Sequence, residues 1–161
     1  MKIGILSDTH DRLPTIAAAI ARFAEAGVGA VLHAGDYVAP FAARALAAPD
    51  LPDGCAVHCI YGNNDGERAG LAKALPGIAD GPVRLALAGR TVVMAHDPAD
   101  LAADDVAGAD VVVFGHTHQV ARDPREGVLW LNPGECCGWL TGRCTAAVLD
   151  TDTLAAEIIE L

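Results

Sequence analysis

The sequence predicts an α/β fold, a four-layer α/β/β/α sandwich in which two mixed sheets pack face to face with helices outside. Apolar strand-like runs alternate with helical patterns in the first half of the chain, whereas the second half is rich in strand-like runs. The length of 161 residues is sufficient for one hydrophobic core and is typical of one domain. We therefore expect residues 1–161 to form a single domain.

The first half contains three strand-like runs, and each of them ends in polar residues. The runs cover residues 2–6, 30–34 and 56–61. The first helix is predicted to begin near Pro14 and to end before Gly27. Its apolar face consists of Leu13, Ile16, Ile20 and Phe23. Further helices are predicted over residues 41–48 and 68–75, with a turn over residues 49–54.

The second half begins with a hairpin signal, Ala88-Gly89-Arg90, between strand-like runs 83–87 and 91–95. A short helix over residues 99–107 precedes a buried strand that ends at Gly115. The remaining strands are expected to pair mainly in antiparallel fashion. They cover residues 119–121, 128–131, 145–149 and 154–159.

The composition argues against several classes of partner. A formal net charge of −10 and a pI near 4.8 disfavour binding to duplex nucleic acid or to an anionic membrane surface, because both need clustered basic residues. No run reaches the roughly 18 apolar residues of a membrane span, and the first residues show no secretory leader pattern. We expect a cytoplasmic protein whose five cysteines are reduced and mostly structural. For Cys136 and Cys137, redox activity or metal binding is the less favoured alternative.

Seven polar residues follow strand-like runs, where ligands gather in open α/β sheets. They are Asp8, His10, Asp36, Asn63, His96, His116 and His118. Taken singly, each residue has an ordinary structural alternative: Asp8 as a helix cap, Asp36 and Asn63 as turn residues, the histidines as core or solvated side chains. Taken together, one metal centre explains all seven. By contrast, His33 and His58 lie inside strand-like runs, where a structural role is favoured.

In order, these residues form the motifs D-x-H, G-D, G-N-x-D, H and G-H-x-H, and an N-P-G turn follows at residues 132–134. This series resembles that of the calcineurin-like metallophosphoesterases, and most closely that of their small single-domain phosphodiesterase branch. The resemblance extends from Ile3 to about Gly134. It implies a metal-dependent phosphoesterase that hydrolyses a small phosphodiester by attack of a metal-bridging hydroxide.

The resemblance also implies two divalent ions that share Asp36. One ion would be held by Asp8, His10, Asp36 and His118, and the other by Asp36, Asn63, His96 and His116. Asp36, Asn63 and His96 are also assigned to catalysis. Mixed oxygen and nitrogen ligands favour transition metals, with Mn²⁺ first and Ni²⁺, Zn²⁺ or Fe²⁺ as alternatives. Asp65 and Asp97 are candidates for positioning the ligands.

Three residues depart from the family pattern. Asn64 stands where larger members have histidine, and an amide cannot act as a general acid near pH 7. Asp97 replaces a glycine, with two alternative effects: it orients a metal-bound histidine or it crowds the substrate. Glu135 replaces a serine and is expected to repel anionic substrates. A phosphomonoesterase with the same site and a non-catalytic scaffold, as in a eukaryotic retromer subunit of this fold, are the alternatives. Small members often form homodimers or homotetramers, which the resemblance extends to this chain.

Overall fold

The computed structural model describes residues 1–46 and 51–161. Within these residues the chain forms ten strands and four α-helices. The strands form two five-stranded sheets, which confirms the predicted α/β class. None of the helices in the described residues is long and apolar enough to cross a bilayer.

The first sheet has a parallel centre and an antiparallel edge. Its parallel strands are β1 (Lys2–Leu6), β2 (Ala30–His33) and β3 (Ala56–Cys59). The strand β9 (Thr145–Asp150) pairs antiparallel with β1, and β10 (Ala156–Glu160) pairs antiparallel with β9. The carboxyl ends of β1, β2 and β3 therefore meet at one edge of the sheet.

The second sheet also has parallel strands at its centre. In spatial order its strands are β4 (Val83–Leu87), β5 (Arg90–Met94), β6 (Val111–Val113), β8 (Val128–Pro133) and β7 (Val120–Arg125). The predicted β4–β5 hairpin is confirmed, and β7 pairs antiparallel with β8 as expected. However, β8 also pairs in parallel with β6, which continues the parallel pairing of β5 with β6.

Apolar side chains between the sheets form the central core, in which Ile5 and Leu32 of the first sheet meet Val113 and Leu131 of the second. Three helices cover the outer face of the first sheet: α1 (Leu13–Ala26), α2 (Pro40–Leu46) and α3 (Arg68–Ala74). The outer face of the second sheet carries Val106 from α4 (Ala103–Val106) against Val93 and Val112. This arrangement confirms the α/β/β/α order of layers.

Helix α1 begins and ends as predicted. Pro14 occupies the first turn, and Gly27 adopts the left-handed conformation at φ 65° that stops the helix. Ile16, Ile20 and Phe23 are buried, but Leu13 is 42% exposed and does not belong to the apolar face. The N-cap is Arg12, so the alternative in which Asp8 caps this helix is wrong.

The predicted helix over residues 99–107 is wrong as a single element. The chain forms a 3₁₀ turn over Pro98–Asp100, becomes extended at Leu101, and starts α4 at Ala103. The Asp105 carboxylate accepts a hydrogen bond from the Ala102 N–H at 2.9 Å, which favours a new helix start over continuation. Of the predicted helix over residues 41–48 and turn over 49–54, residues 47–50 lie outside the described residues.

Candidate functional site

The seven predicted site residues converge at one edge of the two sheets. Asp8 and His10 follow β1, Asp36 follows β2, and Asn63 follows β3. His96 follows β5 of the second sheet, and the pair His116 and His118 follows β6. Because both sheets end their parallel strands at the same edge, side chains up to 110 positions apart in the sequence come within a few ångströms of one another.

Five of these seven residues adopt left-handed backbone conformations. Their φ angles are 54° for Asp8, 36° for His10, 64° for Asp36, 63° for His116 and 59° for His118. Such angles are uncommon outside glycine and cost on the order of 1 kcal/mol or more each. The surrounding hydrogen bonds must hold these loops in place. Strain concentrated at the strand ends is typical of a functional site.

The first group of donors surrounds Asp8, whose side chain is completely buried. The Asp8 Oδ1 atom lies 3.9 Å from His10 Nε2 and 3.5 Å from His118 Nε2. His10 Nε2 also lies 3.5 Å from Asp36 Oδ2. Two carboxylates and two imidazoles therefore face one small volume.

The second group surrounds Asn63. Its Oδ1 atom lies 2.9 Å from His96 Nε2 and 2.9 Å from His116 Nδ1. His96 Nε2 is also 3.4 Å from Asp36 Oδ2, so Asp36 lies between the two groups. His96 Nδ1 meets the carbonyl oxygen of Ala34 at 2.8 Å, and donation to that acceptor leaves Nε2 free to face the site.

The donor groups fit a divalent cation. Asp8 Oδ1 and His10 Nε2 are buried and have no hydrogen-bond partner, which is costly unless a ligand satisfies them. Burial raises the pKa of Asp8. Burial alone would also raise the pKa of Asp36, but hydrogen bonds from His96 and Asn64 outweigh it and lower that pKa. Carboxylate, imidazole and amide donors are a set suited to a transition metal.

Charge coupling also acts on His96. Burial by itself would lower the pKa of His96, but its hydrogen bond and charge interaction with Asp36 raise it. His33, in contrast, is completely buried outside the two groups, and burial lowers its pKa to about 3. Its Nδ1 atom accepts a hydrogen bond from the Gly35 N–H at 3.1 Å, and its Nε2 atom lies 3.1 Å from Thr9 Oγ1. The predicted structural role of His33 agrees with this neutral, fully bonded ring.

The buried carboxylate of Asp65 clamps the loop that carries Asp36. Its Oδ2 atom accepts hydrogen bonds from the N–H groups of Asp36 at 2.9 Å and Gly62 at 2.7 Å. Its Oδ1 atom accepts from Tyr37 and Val38, both at 2.8 Å. Asp65 therefore positions the backbone of Asp36 and does not touch its carboxylate.

Comparison with known proteins agrees with this geometry. The calcineurin-like phosphoesterase superfamily domain model matches residues 1–154. The chain belongs to this superfamily. A phosphodiesterase of Methanocaldococcus jannaschii is 38% identical over 160 residues, which cover 94% of each chain. The solved structure of an archaeal phosphodiesterase, also 38% identical, covers 100% of both chains with a TM-score of 0.90. A phosphoesterase of Escherichia coli shares the fold at 20% identity, 99% and 98% coverage and a TM-score of 0.74.

Within this calcineurin-like domain, the two histidines of the G-H-x-H motif each meet a carboxylate on the side away from the donor groups. Asp97 Oδ2 lies 3.3 Å from His116 Nε2, while Asp97 Oδ1 accepts the Ala99 N–H and so caps the 3₁₀ turn. Glu135 Oε2 lies 2.8 Å from His118 Nδ1. The expectation that Glu135 faces the substrate and repels anions is wrong, because its side chain is completely buried behind His118.

One contributor to the calcineurin-like site, Asn132, was given no role from the sequence. Asn132 donates hydrogen bonds from Nδ2 to the Gly115 carbonyl at 2.8 Å and to Thr117 Oγ1 at 3.0 Å, which fixes the loop of His116 and His118. Only the N-P-G turn in the sequence pointed to this residue. Cys137, for which metal binding was the less favoured alternative, has its Sγ atom within 4.8 Å of a ring nitrogen of His10 and of His118. Burial raises the pKa of its thiol to about 12, which disfavours redox reactivity.

A cavity of about 360 Å³ opens beside the second donor group. Asn63, His96 and His116 form its inner wall. On the outer wall the Arg68 guanidinium lies over the Tyr61 ring, 3.8 Å from its centroid. The donor groups of the calcineurin-like domain are therefore open to a small solute from this side.

Proposed function

We propose that this chain is a metal-dependent phosphodiesterase, a hydrolase that uses two divalent cations to cleave a small phosphodiester. The observation that carries the proposal is the pair of donor groups that share Asp36, with two buried and unpartnered atoms facing inward. The similarity at 38% identity to a phosphodiesterase over 94% of the chain supports the choice of reaction.

In this proposal Asp8, His10, Asp36 and His118 hold one ion, and Asp36, Asn63, His96 and His116 hold the other. Mn²⁺ is the first candidate, with Ni²⁺, Zn²⁺ and Fe²⁺ as alternatives, because mixed carboxylate and imidazole donors suit these ions. When bound, a pair of such ions makes hydroxide available near neutral pH and neutralises phosphoryl oxygens as charge shifts during the reaction. Asn63 and His96 line the cavity in which the reacting phosphate would lie. Asp36, the third residue assigned to catalysis, lies behind them between the two donor groups.

The chain's other residues hold these donors in place. Asp65 fixes the Asp36 loop, Asn132 fixes the loop of His116 and His118, and Asp97 faces the outer nitrogen of His116. A donor set that is already in position loses little conformational freedom when ligand binds. We therefore propose that Asp65 and Asp97 tune the site without binding the ions directly.

Asn64 stands at the position where larger family members have a histidine, and it cannot supply a proton to the leaving group. The Asn64 amide nitrogen donates to Asp36 Oδ2 at 2.7 Å, and its backbone N–H donates to Asp36 Oδ1 at 2.8 Å. An amide cannot release a proton near pH 7. The enzyme is therefore proposed to favour substrates whose leaving group needs little protonation, or to use water as the acid.

The remaining parts of the proposal follow from charge and composition. The active unit is the single domain of residues 1–161, and its partner is a small phosphorylated molecule and neither duplex nucleic acid nor a membrane, given the net charge of −10. The five unpaired cysteines suit the reducing cytoplasm. A homodimer or homotetramer stays a prediction.

The test is hydrolysis of bis-p-nitrophenyl phosphate by chelator-treated protein after addition of Mn²⁺, Ni²⁺ or Zn²⁺. The Asp36→Asn variant should bind at least one ion fewer and lose nearly all turnover. The Asp110→Asn variant is the matched control, because Asp110 accepts the Thr91 N–H at 2.7 Å and pairs with Arg90 away from the donor groups. Full turnover by Asp36→Asn would contradict the shared position of this carboxylate.

A second arm separates the diester from the monoester reaction. The same preparations are assayed with p-nitrophenyl phosphate, which carries the same leaving group as the diester. The proposal predicts a higher kcat/KM for the diester. A higher value for the monoester would replace the phosphodiesterase by a phosphomonoesterase with the same site.

A further inference from the structure

Glu135 is a completely buried carboxylate, and no lysine or arginine pairs with it among the residues that the structure describes. Apart from His118, the groups that donate hydrogen bonds to the Glu135 carboxylate are neutral and lie within residues 137–141. They are Cys137 Sγ at 3.1 Å, the Leu140 N–H at 3.0 Å, and the N–H and Oγ1 of Thr141 at 2.5 and 2.6 Å. A buried charge with this many donors is held in one orientation.

That orientation determines which nitrogen of His118 carries the proton. An ionised carboxylate only accepts hydrogen bonds, so the His118 Nδ1 atom, 2.8 Å from Glu135 Oε2, must be the donor. In the neutral ring the lone pair then lies on Nε2. The Nε2 atom is the one that faces the first donor group, 3.5 Å from Asp8 Oδ1. Only this tautomer of His118 offers a lone pair to a cation there.

The same carboxylate also fastens the loop over residues 138–143. The loop carries Trp139, whose Nε1–H lies 3.4 Å from the carbonyl oxygen of His10. The Trp139 ring also lies beneath the Arg12 guanidinium, 4.8 Å from the ring centroid. One buried anion thus connects His118 with the loop that contacts His10, the other imidazole of the first donor group.

We infer that Glu135 is a positioning residue, which fixes the Nδ1–H tautomer and the ring orientation of His118 and anchors the 138–143 loop against His10. It touches neither substrate nor reacting atoms and acts through His118. Its effect is confined to the first donor group, because the second group has no contact with Glu135 in the described residues. The part of this inference that concerns cation affinity rests on the proposed function, and the part that concerns the tautomer does not.

The tautomer is measured on the metal-free wild-type protein, labelled with ¹⁵N-histidine, by long-range ¹H–¹⁵N correlation at about pH 8.5, well above the usual imidazole pKa of about 6.5. Loss of one ring signal in His118→Asn assigns the resonance. The expected result is a protonated Nδ1 and an unprotonated Nε2. A predominant Nε2–H tautomer in the wild type would overturn the inference, and this arm needs no folded variant at position 135.

The variants then test the cause. Glu135→Ala should shift His118 toward a mixture of tautomers, whereas Thr141→Val, which removes one donor but keeps the carboxylate, should leave the tautomer unchanged. An unchanged tautomer in a folded Glu135→Ala protein would refute the positioning role.

The affinity arm uses titration with Mn²⁺ alone. Glu135→Ala should weaken one of two binding events by about 10- to 100-fold and leave the other within error, as expected when the partner of a ligating histidine is removed. Equal weakening of both events, or of neither, would contradict the confinement of the effect to the first group. If the wild type binds no Mn²⁺, the proposed function fails, and the tautomer measurement still decides whether Glu135 positions His118.

Discussion

The clamp formed by Asp65 offers a sharp test of how the chain holds its strained loops. Asp65→Asn preserves the shape of the side chain but replaces one oxygen by an NH₂ group. Two of the four N–H donors that now meet the carboxylate, those of Asp36 and Gly62 or those of Tyr37 and Val38, would then face another donor. The side chain is only 4% exposed, so water cannot readily replace the lost acceptor.

The expected loss of stability follows from these contacts. Hydrogen bonds to a charged group contribute about 1.5–3 kcal/mol each, so the loss of two predicts a decrease of about 3–6 kcal/mol in the free energy of unfolding. Urea unfolding in the presence of a chelator measures it without a contribution from bound ions. The control is Asp123→Asn, with an expected change within about 0.5 kcal/mol. Asp123 is an exposed carboxylate whose one ion pair within residues 1–46 and 51–161 is with Arg125. A loss below about 1 kcal/mol for Asp65→Asn would refute the clamp.

Three further outcomes are expected. In Gly62→Ala, a Cβ would lie 2.5 Å from the Asp36 backbone nitrogen, so the displaced Asp36 should lower kcat/KM for the diester by about 100-fold, measured beside the wild type. Asn64→His should accelerate hydrolysis of phosphodiesters with poor leaving groups more than hydrolysis of those with good ones. An equal effect across a leaving-group series would contradict the proposal that position 64 lacks a general acid. Burial lowers the pKa of His33 to about 3 in the folded chain. Between about pH 3 and 6.5, this residue therefore binds a proton in the unfolded chain but not in the folded chain. The contribution of His33 to the stability of the metal-free protein should therefore be complete above about pH 6.5 and be lost as the pH falls toward 3. In urea unfolding, His33→Gln should show a shallower decline of stability over this range than the wild type.

The layer order and the position of the site could be predicted because both depend on local signals. An apolar run followed by Asp, Asn or His identifies a strand end, and parallel strands bring such ends to one edge. This pattern located Asp8, Asp36 and His96 without knowledge of their contacts. Helix α1 was predictable for the same reason, since Pro14 and Gly27 mark its ends through their own backbone preferences.

Features that depend on long-range partners could not be predicted. The parallel pairing of β8 with β6 joins segments that β7 separates in the sequence, and no local sequence pattern indicates this pairing. Glu135 was expected to repel anionic substrates, because no local pattern indicates that its carboxylate meets His118, 17 positions earlier in the sequence. The break at Leu101 depends on the hydrogen bond that the Ala102 N–H donates to the Asp105 carboxylate, which competes with helix continuation. The left-handed backbone of Asp36 is likewise set by the N–H bonds to Asp65 and not by its own preference.

The central claim is that two cations bind between the converged side chains. The most direct measurement is an anomalous diffraction map of crystals grown with Mn²⁺. We expect two peaks, one on each side of Asp36: the first among Asp8, His10 and His118, and the second within the second donor group. The second group consists of Asn63, His96 and His116. A map without peaks at this sheet edge, or with peaks only elsewhere on the molecule, would contradict it.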